Sequence, residues 1–218
     1  MATDSEFTCE SGPTGWFEEE ARRQGYRRVA GLDEAGRGPL AGPVVGAAVI
    51  LPRRCTLAGL DDSKRVLPEV RDRVYDAVID LSLSWAIGIA TETEIDALNI
   101  LQATRLAWKR ALANLSFPPD FLLIDATIIP GVNTPQRAVV KGDQLSLSIA
   151  AASILAKVHR DRLMMEYHQR FPRYRFDIHK GYPTPEHLRL LSEYGPCPLH
   201  RQSFRPVSQF GQSVPEEL

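Results

Sequence analysis

A mixed α/β fold, with helices laid on the faces of a single sheet, is what the sequence predicts, and three observations predict it. Short apolar runs rich in Val, Ile, Leu and Ala, at 29–32, 43–51, 83–90 and 121–124, have the length of strands. Longer segments at 68–81, 92–115 and 142–168 carry apolar or small residues in helical patterns. The two kinds of element alternate along the chain, the order expected when helices cover a sheet.

Taken in order, residues 1–15 show no apolar periodicity and are expected to be loosely held, and Trp16 to Tyr26 reads as a short polar helix packing by its aromatics. Val29 to Asp33 is the first strand. Gly36-Arg37-Gly38 is a turn, and Pro43 to Leu51 (PVVGAAVIL) is a second strand closed by Pro52. Asp61-Asp62-Ser63-Lys64 is a loop, after which Pro68 occupies a first helical position. Leu83 to Ala90 is the third strand. The Thr91/Glu94 spacing is that of a capping box, so a helix starts at Glu92, and the run from Leu98 continues it until Pro118. Phe121 to Ile124 is a strand that delivers Asp125 at its end, and Arg137 to Val140 is a short one. Gly142-Asp143 then opens one long helix to about His168, with Ala150, Ala151, Ala152, Ser153 and Ala156 permitting close packing. A loop from His179 to His187, a helix to Tyr194 and a polar tail complete the chain.

The chain has 218 residues, 44% hydrophobic and 24% charged, enough for one main core. Three cysteines without CxxC spacing argue against a disulfide scaffold or a zinc site, and a reducing, cytoplasmic setting is expected. Neither a basic-then-apolar leader nor an apolar run near the ~18 residues of a membrane span is present, so no membrane partner is expected. Net charge is only −1, but its distribution is uneven. Residues 1–20 hold six acids and no Lys or Arg, whereas residues 137–180 hold nine bases against four acids. A solvated helix face and a surface for a polyanion explain the basic stretch equally well.

The chemistry concentrates in VAGLDEAGRGP, residues 29–39. Asp33 and Glu34 sit where an apolar strand leaves the core, and a carboxylate pair there calls for a cation or hydrogen-bond donors. Gly36 and Gly38 let backbone N–H groups approach an anion. Taken singly, each acid has a plain structural reading: a strand-end ion pair for Asp33 and Glu34, a turn for Asp125, a helix N-cap for Asp143. Taken together, two acids at strand ends, one beside them and one at a helix start can meet at one sheet edge. Such oxygen donors select Mg²⁺ or Mn²⁺ and suit phosphodiester hydrolysis, in which paired metals activate water and neutralise the leaving oxygen. Lys64, Lys141, Lys157 and Lys180 are candidate phosphate contacts, each balanced against a solvated lysine, and Arg37 is held between two glycines. Tyr182, in the Gly-Tyr-Pro turn, is either a packing aromatic or a platform for a sugar or base.

As a set, LDEAGRGPLAGPVV (32–45), DDSK (61–64), LNILQAT (98–104), LLIDA (122–126), VVKGDQLSLSIAAASILAKVHRD (139–161) and HKGYPT (179–184) resemble the motifs of ribonuclease HII, in the same order across residues 16–205. That resemblance implies a ribonuclease H-like fold with a small helical C-terminal part. It divides the chain into an acidic arm (1–15), a catalytic domain (16–205) and a tail (206–218). It further implies cleavage of the RNA strand of RNA–DNA hybrids, and of single ribonucleotides embedded in duplex DNA, with two Mg²⁺ or Mn²⁺ ions and 3′-hydroxyl and 5′-phosphate products. The family's metal-binding acids fall on Asp33, Glu34, Asp125 and Asp143, with Asp33 the expected bridge. Its 2′-hydroxyl reader falls on Gly36, Arg37 and Gly38, and the tyrosine expected on the following deoxyribose is Tyr182. Lys64 joins the expected substrate contacts, and a monomer is expected. Arg65-Val66-Leu67 and Trp108 depart from the family pattern. Two rivals remain: a dinucleotide-binding domain, because Gly36-x-Gly38-x-x-Ala41 follows a strand, and a non-catalytic hybrid-binding module. Pro39 and the strand after it oppose the first, and four acids beside a polyanion oppose the second.

Overall fold

The computed structural model describes residues 12–53, 55, 57 and 68–210. Among them, five strands form one sheet: β1 (Val29–Ala35), β2 (Val44–Ile50), β3 (Ser84–Ala90), β4 (Phe121–Asp125) and β5 (Gln136–Val139), in the spatial order β3-β2-β1-β4-β5. The first three make an antiparallel meander, whereas β4 joins β1 and β5 joins β4 in parallel. Helices α1 (Trp16–Arg23), α2 (Pro68–Leu81), α3 (Glu92–Leu98), α4 (Ile100–Ala113), α5 (Gly142–Leu145), α6 (Leu147–Arg170), α7 (Phe176–His179) and α8 (Pro185–Tyr194) complete the fold. The mixed α/β expectation therefore holds. The dinucleotide-binding alternative does not, because the glycine turn leads into an antiparallel hairpin and not into a helix with a parallel crossover.

Parallel pairing is what positions the acids. Val29 lies opposite Phe121 and Leu32 opposite Ile124, so Asp33 and Asp125 are the next pair along two strands that end at the same edge. Val139 of β5 lies opposite Asp125, and the chain turns from there into α5, which carries Asp143.

Both faces are covered. On one, α6 packs its Ala150, Ala151, Ala152 and Ala156 against Val45, Ala47 and Val49 of β2. On the other, Trp108 and Ala111 of α4 pack on Ala30, Leu32, Leu122 and Ile124. Gly31 allows α6 a very close approach: a Cβ there would lie 2.1 Å from the Ser148 carbonyl carbon and 2.4 Å from the Ile149 nitrogen. Helix α6 thus rests its first turn directly on β1 and can reach the acids.

Three expectations need correction. The first strand runs through Glu34 to Ala35, so both carboxylates are strand residues. The helix from Glu92 is two helices, because Asn99 takes a left-handed φ of 70° and its Oδ1 caps Leu101 and Gln102. The helix from Gly142 is also two, because Ser146 is extended and N-caps α6 by accepting from the Ile149 N–H. Asp143 is therefore in the first turn of α5 and not the N-cap of the long helix. Glu18, one of the six acids of residues 1–20, is buried: its Oε1 accepts from Ser146 Oγ (2.7 Å), Ser148 N–H (2.8 Å) and Ser148 Oγ (2.6 Å) at the positive end of α6.

Beyond α6, His179, His187 and His200 are buried together. The Cys197 N–H donates to His200 Nδ1 at 3.0 Å, so neutral His200 carries its proton on Nε2 and donates it to His187 Nε2 at 3.1 Å. His187 then carries its proton on Nδ1 and donates to the Tyr182 carbonyl at 2.9 Å. Burial holds His187 down to about 4 and His200 to about 3. Folded pKa values below the unfolded value of about 6.5 mean that the unfolded chain binds more protons as pH falls, so this part of the stability is complete above about pH 6.5 and is lost below it. The stability advantage of the parent over a His187→Gln variant should shrink by about 1.4 kcal/mol per pH unit between pH 6 and 5. Urea unfolding at several pH values checks this, and a constant difference would contradict it.

Candidate active site

Asp33 is 5% exposed and Asp143 8%, Asp125 is half-buried, and the Glu34 side chain is 10% exposed. Asp33 Oδ1 accepts the Glu34 N–H at 2.7 Å, and the Ser153 hydroxyl of α6 lies close enough to the same carboxylate to favour its charged form. Asp125 Oδ1 accepts the Gly142 N–H at 2.7 Å, which sets the backbone just before Asp143 against the end of β4. Burial, then the charge of Glu34, and more weakly that of Asp125, push Asp33 well above the usual carboxylate range; Ser153 opposes them. Burial also raises Glu34, against the pull of Arg37 at 3.3 Å.

Asp33, Glu34 and Asp125 therefore share one field, with Asp143 beside Gly142 on the same edge. Among the described residues no three Asp, Glu, His or Cys side chains are already closed around one point, since their oxygens are drawn to adjacent donors. Glu34 Oε2 is the exception: it is buried and has no hydrogen-bond partner among the described residues. An orphaned anionic oxygen amid carboxylates, with no sulfur or imidazole in the set, fits a hard divalent cation.

Glu34 opens into a cleft of about 360 Å³ shared with Gly36, Arg37, Gly38, Arg71, Ser153, Lys157 and Tyr182. Gly36 has φ +99°, and a Cβ there would lie 2.2 Å from Arg160 Nε, so only glycine fits. Gly38 faces Tyr182, whose Cε1 would be 4.0 Å from an added Cβ. The Tyr182 ring is 38% exposed, with Lys157 Nζ 5.6 Å and Arg160 Cζ 5.8 Å from its centroid. Lys157 is paired with Asp161 at 2.8 Å, and Arg71 approaches the same acid at 3.8 Å. A larger cavity of about 590 Å³ lies at the opposite sheet edge, among Arg22, Arg27 and Arg53, and contains none of these groups.

The ribonuclease HII family model matches residues 30–207. The chain belongs to the ribonuclease HII family. A ribonuclease HII of Geotalea uraniireducens (strain Rf4) is 50% identical over 214 residues, which cover 98% of this chain and 99% of that protein. One from Syntrophotalea carbinolica (strain DSM 2380 / NBRC 103641 / GraBd1) is 51% identical over 195 residues, 89% of this chain and 93% of that one. The crystal structure of ribonuclease H2 from Pyrococcus horikoshii OT3 superposes with a TM-score of 0.71 at 27% identity, covering 84% of this chain and 97% of that chain. As a ribonuclease HII, the protein is an enzyme of the metal-dependent, phosphodiester-hydrolysing class, with ribonuclease H activity. No helix among the described residues is long and apolar enough to cross a membrane.

Several groups around this candidate site look ordinary in the sequence of this ribonuclease HII family member. Ser153 reads in the sequence as a small packing residue, although its i, i+4 spacing to Lys157 signals that both face one side of α6. Arg160 was counted in the basic stretch, yet it is fully buried and offers nothing to a polyanion. Arg201, also fully buried, belongs to none of the motifs of the sequence. Lys64 lies outside the described residues, as does the rest of the DDSK motif and Arg65-Val66-Leu67.

Proposed function

We propose that this ribonuclease HII cuts the RNA strand of RNA–DNA hybrids and nicks duplex DNA on the 5′ side of single embedded ribonucleotides, leaving 3′-hydroxyl and 5′-phosphate ends. The observation that carries this reading is the single cleft in which Glu34, the Gly36-Arg37-Gly38 turn and Tyr182 stand side by side. Acids that could hold ions and groups suited to a sugar and its phosphate are thereby within one nucleotide of each other.

In this reading Asp33, Glu34, Asp125 and Asp143 would hold two Mg²⁺ or Mn²⁺ ions, Asp33 being the acid shared by both. The ions, when bound, supply Lewis acidity for attack by water on the scissile phosphate and for departure of the 3′-oxygen. Ser153 keeps the Asp33 carboxylate oriented through its hydroxyl. The Gly36-Arg37-Gly38 turn reads the 2′-hydroxyl, the one group that marks a ribonucleotide in a DNA strand, with the Arg37 side chain and the N–H groups of Arg37 and Gly38 acting together. Tyr182 packs on the next deoxyribose, where a 2′-hydroxyl would crowd its ring. Lys157 and Arg71, both bases lining the cleft, take flanking phosphates. The monomer acts alone on its substrate, within residues 16–205.

The direct test is a labelled duplex carrying one ribonucleotide, incubated with and without Mg²⁺ or Mn²⁺. A metal-dependent cut 5′ of the ribonucleotide is expected, and absence of any cut, or cutting in all-DNA controls, would overturn the reading. Arg37→Ala should lower the preference for the embedded ribonucleotide over a continuous hybrid by about tenfold, which corresponds to about 1.4 kcal/mol. An unchanged ratio would remove Arg37 from the reader.

A further inference from the structure

Residues 199–201 lie alongside 40–42 as a short backbone ladder. Ala41 and His200 form an antiparallel bridge, the Gly42 N–H donates to the Leu199 carbonyl (2.9 Å), and the Arg201 N–H donates to the Leu40 carbonyl (2.8 Å). From this ladder two consecutive side chains leave in different directions. Arg201 turns under the glycine loop: its Nη2 donates to the carbonyls of Gly36 (2.6 Å), Gly42 (2.8 Å) and Pro43 (3.2 Å), its Nη1 to Arg37 (3.1 Å) and its Nε to Gly42 (2.9 Å). His200 begins the histidine chain that ends on the Tyr182 carbonyl.

The peptide group is planar and trans, so a carbonyl drawn to one side sends the following N–H to the other. With the Gly36 and Arg37 carbonyls held on buried Arg201, the N–H groups of Arg37 and Gly38 point away from the guanidinium, on the side of the loop that lines the cleft. On the other branch, the Cys197 N–H fixes the tautomer of His200, which fixes that of His187, so that a donor is always presented to Tyr182. We propose that His200 and Arg201 together form a buckle that sets the spacing between the Gly36-Arg37-Gly38 loop and Tyr182, making them and His187 positioning residues for the choice of substrate. The proposal rests on the reading of that loop and tyrosine as the ribonucleotide reader.

Arg160 supports the same joint from α6, donating to the carbonyls of Pro43 (3.0 Å), Ala41 (3.0 Å) and Lys180 (2.9 Å). Two guanidinium groups are thus withdrawn completely from water, with buried Glu92 as a nearby counter-charge. An apolar core would fill this volume without that desolvation penalty, but it could not orient the six carbonyls of Gly36, Arg37, Ala41, Gly42, Pro43 and Lys180.

The experiment compares kcat/KM on two substrates, a duplex with one embedded ribonucleotide and a continuous RNA–DNA hybrid, for Arg201→Lys, His187→Leu, His187→Gln, Arg37→Ala and Gly38→Pro. Arg201→Lys keeps the charge but loses the fork, and His187→Leu breaks the chain to Tyr182. Both should lower the embedded-to-hybrid ratio at least fivefold. His187→Gln, whose amide offers one acceptor and a donor, should restore it to within twofold. A purely structural role would lower both substrates equally and leave the ratio alone. If Arg37→Ala lowers the ratio while His187→Leu and folded Arg201→Lys do not, the buckle is overturned and the reader stands. If the ratio is unchanged both in Arg37→Ala and in Gly38→Pro, which removes an N–H of the turn itself, the reader falls and the buckle with it. Should Arg201→Lys lose its cooperative melting transition, the two His187 variants decide.

Discussion

Asp33→Asn is expected to lower turnover by about a thousandfold or more while binding of an RNA–DNA hybrid persists. The amide keeps an oxygen for the Glu34 N–H and the Ser153 hydroxyl, so local geometry survives, but its affinity for a hard cation is lost. Removing a negative charge beside a polyanion does not weaken contact with it. The same substitution should stabilise the metal-free protein by on the order of 1 kcal/mol, because a carboxylate 5% exposed and flanked by Glu34 and Asp125 is a liability to folding. Turnover assays, hybrid titration and melting in the presence of a chelator separate the three effects. Turnover within tenfold of the parent would remove Asp33 from the site, and a lower melting temperature would show that its charge is already compensated.

Gly31→Ala should be among the most damaging small substitutions for the fold, costing about 3 kcal/mol or more. The added methyl would meet main-chain atoms of Ser148 and Ile149 at 2.1–2.4 Å, and backbone cannot step aside as a flexible side chain can. Helix α6 would have to lift from β1, carrying Ser153 away from Asp33 and straining the contacts of Glu18 with the Ser146 and Ser148 hydroxyls. Activity should therefore fall together with stability, and chemical unfolding measures the latter. A variant as stable as the parent would mean that the helix seat yields more readily than its contacts indicate.

Most of the sheet was legible because its strands are dense in Val, Ile, Leu and Ala and are closed by Pro, Gly or acids, and those signals are local. The places where helices break were not. Asn99 and Ser146 interrupt runs whose apolar spacing is continuous, and only the capping role of their side chains ends one helix and starts the next. Within the candidate site, the acids and the glycine turn could be singled out because charge at a strand end is anomalous wherever it occurs. Ser153, Arg160, His200 and Arg201 could not, because a serine among alanines and an arginine in a basic stretch look ordinary until the fold brings them to a carboxylate or a carbonyl 117 to 165 residues away.

The pairing of β1 with β4 also orders events during synthesis. The meander of β1, β2 and β3 joins neighbours in the chain and can form as soon as residue 90 has left the ribosome. At that stage the nascent polypeptide holds Asp33 and Glu34 but neither Asp125 nor Asp143, which arrive with the long-range parallel strand and the short helix after β5. If the four acids hold the ions as proposed, a chain ended by premature termination before residue 143 would lack part of the set, and cutting competence would be withheld until about two-thirds of the chain has been made.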